Sequence, residues 1–252
     1  VRKHNHNNMV RLQLQGEWEF QKEVVIGVVD NSAAGVRVLL PLLSHADVKR
    51  ATIITNQTNK WNPSPAFELK DQQLRCIESF SLGETSFLVV NTVVPEEEET
   101  TLAFQLTQFI LEHSKEDVSV SFLFGMDFGA RIKNKDSPKR FIHTNKTMVD
   151  SISASPLPGD AVSRNGIVAA LVHLLCTVEV FSEFCLLVLH GKAARSSSSP
   201  EQDGTLEVIC GLQEMLSLLF PSLASSLSNN NLTTLLPVSF SPANSVDSLM
   251  YL

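Results

Sequence analysis

The sequence predicts a single α/β domain, a three-layer α/β/α sandwich with a mainly parallel central sheet, followed by a flexible C-terminal tail. Three observations predict it. Short, continuously apolar runs alternate with helical periodicities from position 24 to position 220, which is the pattern of a sheet covered by helices on both faces. No shift of composition divides that stretch, so 1–221 reads as one domain, with 1–9 expected to be disordered. Positions 222–252 are instead rich in Ser, Asn, Thr and Pro with isolated leucines, the composition of a weakly ordered tether.

The elements follow in order. Val24 to Val29 is a β-branched run and reads as a buried strand. Asp30, Asn31 and Ser32 follow it, and the side-chain oxygen of any of them can cap the apolar helix that runs from Ala33 to Leu43. Thr52 to Thr55 is a short strand. Leu74 to Phe80 and Phe87 to Val90 are two more, separated by a turn at Gly83, so they read as a hairpin. Pro95 and Glu96 to Glu99 open a helix that places Leu102, Leu106, Phe109 and Ile110 on one face. The four glutamates read as a solvated helix start, where negative charge meets the positive end of the dipole. Val118 to Phe124 is a further buried strand. Gly125 to Pro158 is then a long polar connection, of a length that is usually functional or partly structured, so a short helix or a partner-contacting lid is expected within it. Asn165 to Cys176 is apolar on nearly every side and predicts a helix buried between layers. Leu186 to Leu189 is a strand, Arg195 to Pro200 a serine-rich loop, and Leu206 to Phe220 an amphipathic helix stopped by Pro221.

Composition removes several classes of function. The net charge is −7, with no Lys/Arg block long enough to track a phosphate backbone, so nucleic acid is not an expected partner. No apolar run approaches the roughly 18 residues that span a bilayer, and the first residues lead into no apolar signal region, so a cytoplasmic place is expected and no membrane partner. Cys76, Cys176, Cys185 and Cys210 all lie in apolar segments and read as reduced, buried thiols. Sequons at Asn56, Asn145 and Asn231 carry little meaning without a secretion signal.

Catalytic patterns are sparse, and no cofactor is expected. Asp127, Phe128 and Gly129 spell the magnesium tripeptide of protein kinases, but no Gly-rich loop, strand-borne lysine or catalytic-loop triplet precedes them. Ser32 stands at a strand-to-helix turn, as a hydrolase nucleophile would, with His45, His173 or His190 as conceivable bases. An α/β serine hydrolase is therefore the competing reading, although Asp30 and Ala34 stand where the nucleophile elbow has glycines. His173, Cys176, Cys185 and His190 are zinc-type donors on what read as a buried helix and a buried strand rather than on polar knuckles, so no metal site is expected. Gly27 and Gly35 are too sparse for a dinucleotide fingerprint.

Three segments together resemble the proteasome assembly chaperone 1 family, the larger subunit of the heterodimer that helps build the core-particle α-ring. Val25 to Ala34 looks like that family's first strand, Asn-containing turn and Ala-rich helix. Pro138 to Phe141 followed by Pro156, Leu157 and Pro158 looks like its mid-chain connection, and Asn165 to Leu175, Leu186 to Leu189 and the helix after Pro200 look like its C-terminal α-β-α unit. The ending Met250, Tyr251, Leu252 is similar to the hydrophobic-Tyr-any (HbYX) tail with which such chaperones and proteasome activators dock on the α-ring, and Tyr251 is the only tyrosine of the chain. The resemblance implies a non-enzymatic chaperone of 20S proteasome assembly, paired with a sister assembly chaperone and bound to proteasome α-subunits. It also implies a place in the cytoplasm and the nucleus.

Overall fold

The computed structural model describes residues 10–30, 33–56, 61, 73–115, 117–126, 140–146, 152–159, 161, 163, 165–190 and 205–228. In chain order the elements are β1 (Leu12–Gln15), β2 (Glu23–Val28), α1 (Ala34–Leu39) running into a 3-10 turn (Leu40–Ser44), β3 (Lys49–Thr55), β4 (Ile77–Leu82), β5 (Thr85–Val90), α2 (Glu96–Glu112), β6 (Ser119–Met126), β7 (Arg140–Thr144), β8 (Ser155–Pro156), α3 (Gly166–Cys176), β9 (Glu183–His190), α4 (Thr205–Leu219), a second 3-10 turn (Pro221–Leu223) and α5 (Ala224–Ser228).

The strands join in one sheet of order β1-β3-β4-β5-β2-β6-β9-β7-β8. Its centre, β5-β2-β6-β9, is parallel. Its flanks are not: β1–β3, β3–β4, β4–β5 and β7–β9 are antiparallel, and only the short β7–β8 contact adds another parallel pair. The sheet is therefore mixed rather than mainly parallel. The physical reason is local, because a parallel crossover needs a dozen or more residues whereas a tight turn forces the reversed direction. Leu82 pairs with Thr85 across a two-residue turn in which Gly83 adopts φ 60, a left-handed conformation that only glycine takes cheaply. The expected hairpin is thus present. The polar connection from 125 to 158 also contains structure, since β7 and β8 arise within it and β7 returns beside β9.

Alternate side chains of the central strands enter two cores. Ile26, Leu88, Phe122 and Leu186 face α2 and α3, meeting Leu102, Leu106, Ile110 and Leu171. Val25, Val89, Leu123 and Leu187 face α1 and α4, meeting Leu39, Leu212 and Leu216. At 25 cal/mol per Å² each fully buried leucine or phenylalanine contributes roughly 1.5 to 3 kcal/mol. The α1 layer approaches the sheet very closely. A Cβ on Gly35 would stand 2.4 Å from the backbone oxygen of Leu123, and one on Gly27 would stand 3.0 Å from the Gly35 carbonyl. These two glycines are a helix-to-strand contact, which explains why they sit eight positions apart without forming a ligand loop.

Two further expectations change. α3 lies beside α2 in an outer layer, with Ala169 and His173 exposed, rather than between layers. The chain also stays packed beyond position 221, because Leu223 and Leu227 are buried in the α1/α4 core and His45 Nε2 lies 3.3 Å from the Ser226 carbonyl oxygen.

Candidate functional site

The carboxyl ends of β5, β2, β6 and β9 form the edge where open α/β sheets commonly hold ligands. Here the chain fills that edge with its own oxygens. Asp30, nearly fully buried, accepts the Ala34 N–H on Oδ1 at 3.1 Å and the Gly125 N–H on Oδ2. One carboxylate therefore caps α1 and fastens the end of β2 to β6, while Asn31 and Ser32, the other two candidate caps, lie outside the described residues. Asn165 does similar work for α3: Oδ1 accepts the Val168 N–H at 3.0 Å while Nδ2 donates to the Val29 carbonyl at 3.0 Å.

The acidic start of α2 adds a second acceptor there. Glu99 accepts the Gly166 N–H, and partial burial raises its carboxyl pKa, assisted by the nearby Glu96. Glu98 is buried and accepts the Trp61 indole N–H at 2.9 Å. Only Glu96 and Glu97 are fully solvated, so the run is half structural. Asn91, at the end of β5, is wholly buried with neither amide atom hydrogen-bonded, which costs about 1 to 3 kcal/mol.

Among the described residues, the histidines and cysteines weighed for catalysis or metal binding do not converge. His173 and Cys176 lie on α3 over one face of the sheet, whereas the Cys185 side chain enters the core on the opposite face. The sheet itself separates these zinc-type donors. Burial pushes the Cys176 and Cys185 thiols up to about 11, far from the thiolate form that binds metal. His190 Nδ1 lies 3.2 Å from the Met126 carbonyl oxygen, and His45 is taken by Ser226. Among the described residues no group of three or more His, Cys, Asp or Glu stands ready for a metal ion, and no helix is long and apolar enough to cross a membrane. Ser32, the Asp127 to Gly129 tripeptide and the tail Met250, Tyr251, Leu252 lie outside the described residues.

What the surface offers is contact area. On α2, Phe104 and Leu111 are 53% and 47% exposed, two turns apart on one stripe, and Val178 beyond α3 is 53% exposed. At the sheet's first edge an open groove of about 880 Å³ is lined by Leu12, Leu14, Trp18, His113 and Lys115 among others. The Trp18 indole nitrogen is buried there without a hydrogen-bond partner. Phe104 gave no sign in the sequence beyond an apolar residue off the helix's buried face. The groove's sign was the Leu-Gln-Leu-Gln alternation ahead of Trp18.

No family model and no curated protein matches the sequence. Solved structures do match the fold. Pyrococcus furiosus PbaA, an archaeal homolog of proteasome-assembly chaperone, superposes with a TM-score of 0.59 at 14% identity, over 88% of this chain and 93% of the other. Pyrococcus furiosus PbaB, an archaeal proteasome activator, gives 0.57 at 10% identity over 90% and 96%. A protein of unknown function from Thermoplasma acidophilum gives 0.56 at 7% identity over 86% of both chains. The chain has the fold of the archaeal proteasome-assembly chaperone homologs.

Proposed function

We propose that this protein is a non-enzymatic chaperone of 20S proteasome α-ring assembly, working as a heterodimer with a sister assembly chaperone. The observation that carries the reading is the agreement of two independent features: a body with the fold of PbaA over most of both chains, and the hydrophobic-Tyr-any motif Met250, Tyr251, Leu252. The occupied carboxyl edge supports it as well, because a sheet end filled by Asp30, Glu99 and Asn165 suits a scaffold better than a catalytic crevice.

In this reading the tail docks in pockets of α-subunits. A penultimate tyrosine buries about 150 to 250 Å², worth at most about 4 to 6 kcal/mol. The terminal carboxylate of Leu252 pairs with a pocket cation or accepts backbone N–H bonds, and Met250 fills adjacent apolar space. Fixing any peptide tail in a pocket offsets several kcal/mol of such a gain, so a tail alone grips weakly. Contacts from the body, and a second tail from the sister chaperone, raise the avidity by roughly 10² to 10⁴.

Removing 250–252 should weaken binding to isolated α-rings at least tenfold, measured by surface-immobilised binding, while urea denaturation of the body stays unchanged. Equal affinity after truncation would sink the tail mechanism. Labelling by a serine-reactive probe that vanishes in Ser32→Ala would instead establish the hydrolase reading.

A further inference from the structure

We infer that the outer face of α2 docks a cationic amphipathic helix of a partner protein, with Phe104 and Leu111 as its apolar anchors and Glu112 as its charge contact. Phe104 and Leu111 are 53% and 47% exposed. They stand seven positions apart, which is two turns and about 10 Å along one side of the helix. Thr100 and Gln108, the exposed residues that continue this side, are uncharged. α3 lies alongside, since Glu99 of α2 accepts the Gly166 N–H where both helices begin. Its sequence contains no Asp, Glu, Lys or Arg, and Ala169 and His173 are its exposed residues.

The charges of these two helices are of one sign. α2 contains Glu96, Glu97, Glu98, Glu99 and Glu112 and no lysine or arginine. The first four have a local reason, because carboxylates suit the positive end of a helix. Glu112 does not share it. It is the last residue of α2, at the end where the dipole favours a cation, and the last turn carries no basic residue. Its carboxylate accepts the Gln108 side-chain amide at 2.6 Å, a neutral donor. Lys115, three positions on, is held by Glu19 at 2.5 Å. On the opposite layer the exposed Glu214 of α4 is paired with Arg140 instead. Leu111 and Glu112 thus bring exposed apolar surface and a carboxylate set against the dipole to one helix end. One ligand answers both, an apolar side chain next to a lysine or arginine.

The occupant must bring a satisfied backbone of its own, because the side of a helix has no backbone donors or acceptors left for a strand to pair with. A helix does so, and apolar residues spaced three, four and seven positions apart match the interval from Phe104 to Leu111. A second copy of the same face would set glutamate against glutamate, and an anionic lipid surface would be repelled. The face belongs to the folded body, so its occupancy is independent of tail docking on α-rings. Two half-exposed side chains offer far less than the 1,200 to 2,000 Å² of a standard interface, so binding is weak, with a Kd on the order of tens of micromolar or above.

Fluorescence anisotropy of a labelled leucine–lysine amphipathic peptide of about 18 residues, titrated with the full chain, tests this. The lysine peptide should bind, and its leucine–glutamate counterpart should not. Phe104→Ser and Leu111→Ser should each weaken binding of the lysine peptide about tenfold. Glu112→Lys should weaken it about fivefold and make the glutamate peptide bind, a gain that misfolding cannot produce. Glu207→Lys, the same charge change on α4 in the opposite layer, should leave both peptides as they are with the parent. No binding, equal binding of the two peptides, indifference to Phe104→Ser and Leu111→Ser, or an equal loss from Glu112→Lys and Glu207→Lys would overturn the inference.

Discussion

α1 and α2 lie on opposite faces of one sheet and meet it in different ways. All six residues of α1 are buried, its glycine presses against strand backbone, and α4 covers it from outside. α2 buries Leu102, Leu106, Phe109 and Ile110 but leaves Phe104 and Leu111 largely exposed on its outer stripe. One layer is sealed scaffold and the other keeps apolar side chains available to a partner. A folded domain tolerates single exposed apolar residues, but two on one stripe of α2 form a small apolar patch that burial against another surface would relieve.

Three substitutions break or sharpen that contrast. Gly35→Ala drives a methyl group into the Leu123 carbonyl and should destabilise the domain by about 3 kcal/mol or more in urea denaturation. A variant as stable as the parent would show that α1 is not seated by this contact. Glu99→Gln acts where α2 meets α3. Because burial raises the folded-state pKa of Glu99, the native state holds that proton more tightly than the unfolded chain does. Stability therefore falls as pH rises from the ordinary glutamate range through the folded value, and stays lower above it. Glutamine keeps an oxygen for the Gly166 N–H and removes the titration, so its denaturation midpoint should lack that decline. An unaltered pH profile would remove Glu99 from the account. Phe104→Ser, on the exposed stripe, should change stability by less than about 0.5 kcal/mol and, if the proposed heterodimer uses this face, weaken capture of the proposed sister chaperone. A large loss of stability would place Phe104 in the scaffold and erase the contrast.

The central strands and the long helices were legible because their patterns are strong. Val24 to Val29, Val118 to Phe124 and Leu186 to Leu189 are buried on both faces and read as continuous apolar runs, and α2 repeats its apolar residues every three or four positions. Strand direction was not legible, since burial says which residues face a core but not which way a neighbour runs. β7 was missed because Phe141 is its only buried side chain and its pairing partner lies more than forty positions away in β9. β1 was missed because four residues alternating Leu and Gln give a faint signal. Asp30 was readable as one of three caps, but its bond to Gly125 depends on two strands meeting. The buried state of Glu98 depends likewise on Trp61, a partner no local pattern announces.

That Asp30 bond has a consequence for the order of events during synthesis. The second oxygen of Asp30 finds the Gly125 N–H only when β6 has reached β2, and Asp30 and Gly125 are 95 positions apart in the chain. A nascent chain that has emerged only through β5 thus holds β2 and β5 with one flank of the parallel core open. Non-local closure of this kind is slow and leaves apolar strands uncovered in the interval. The first half of this protein should accordingly need shelter on the ribosome, and a chain stopped after β5 should aggregate rather than persist as a small folded unit.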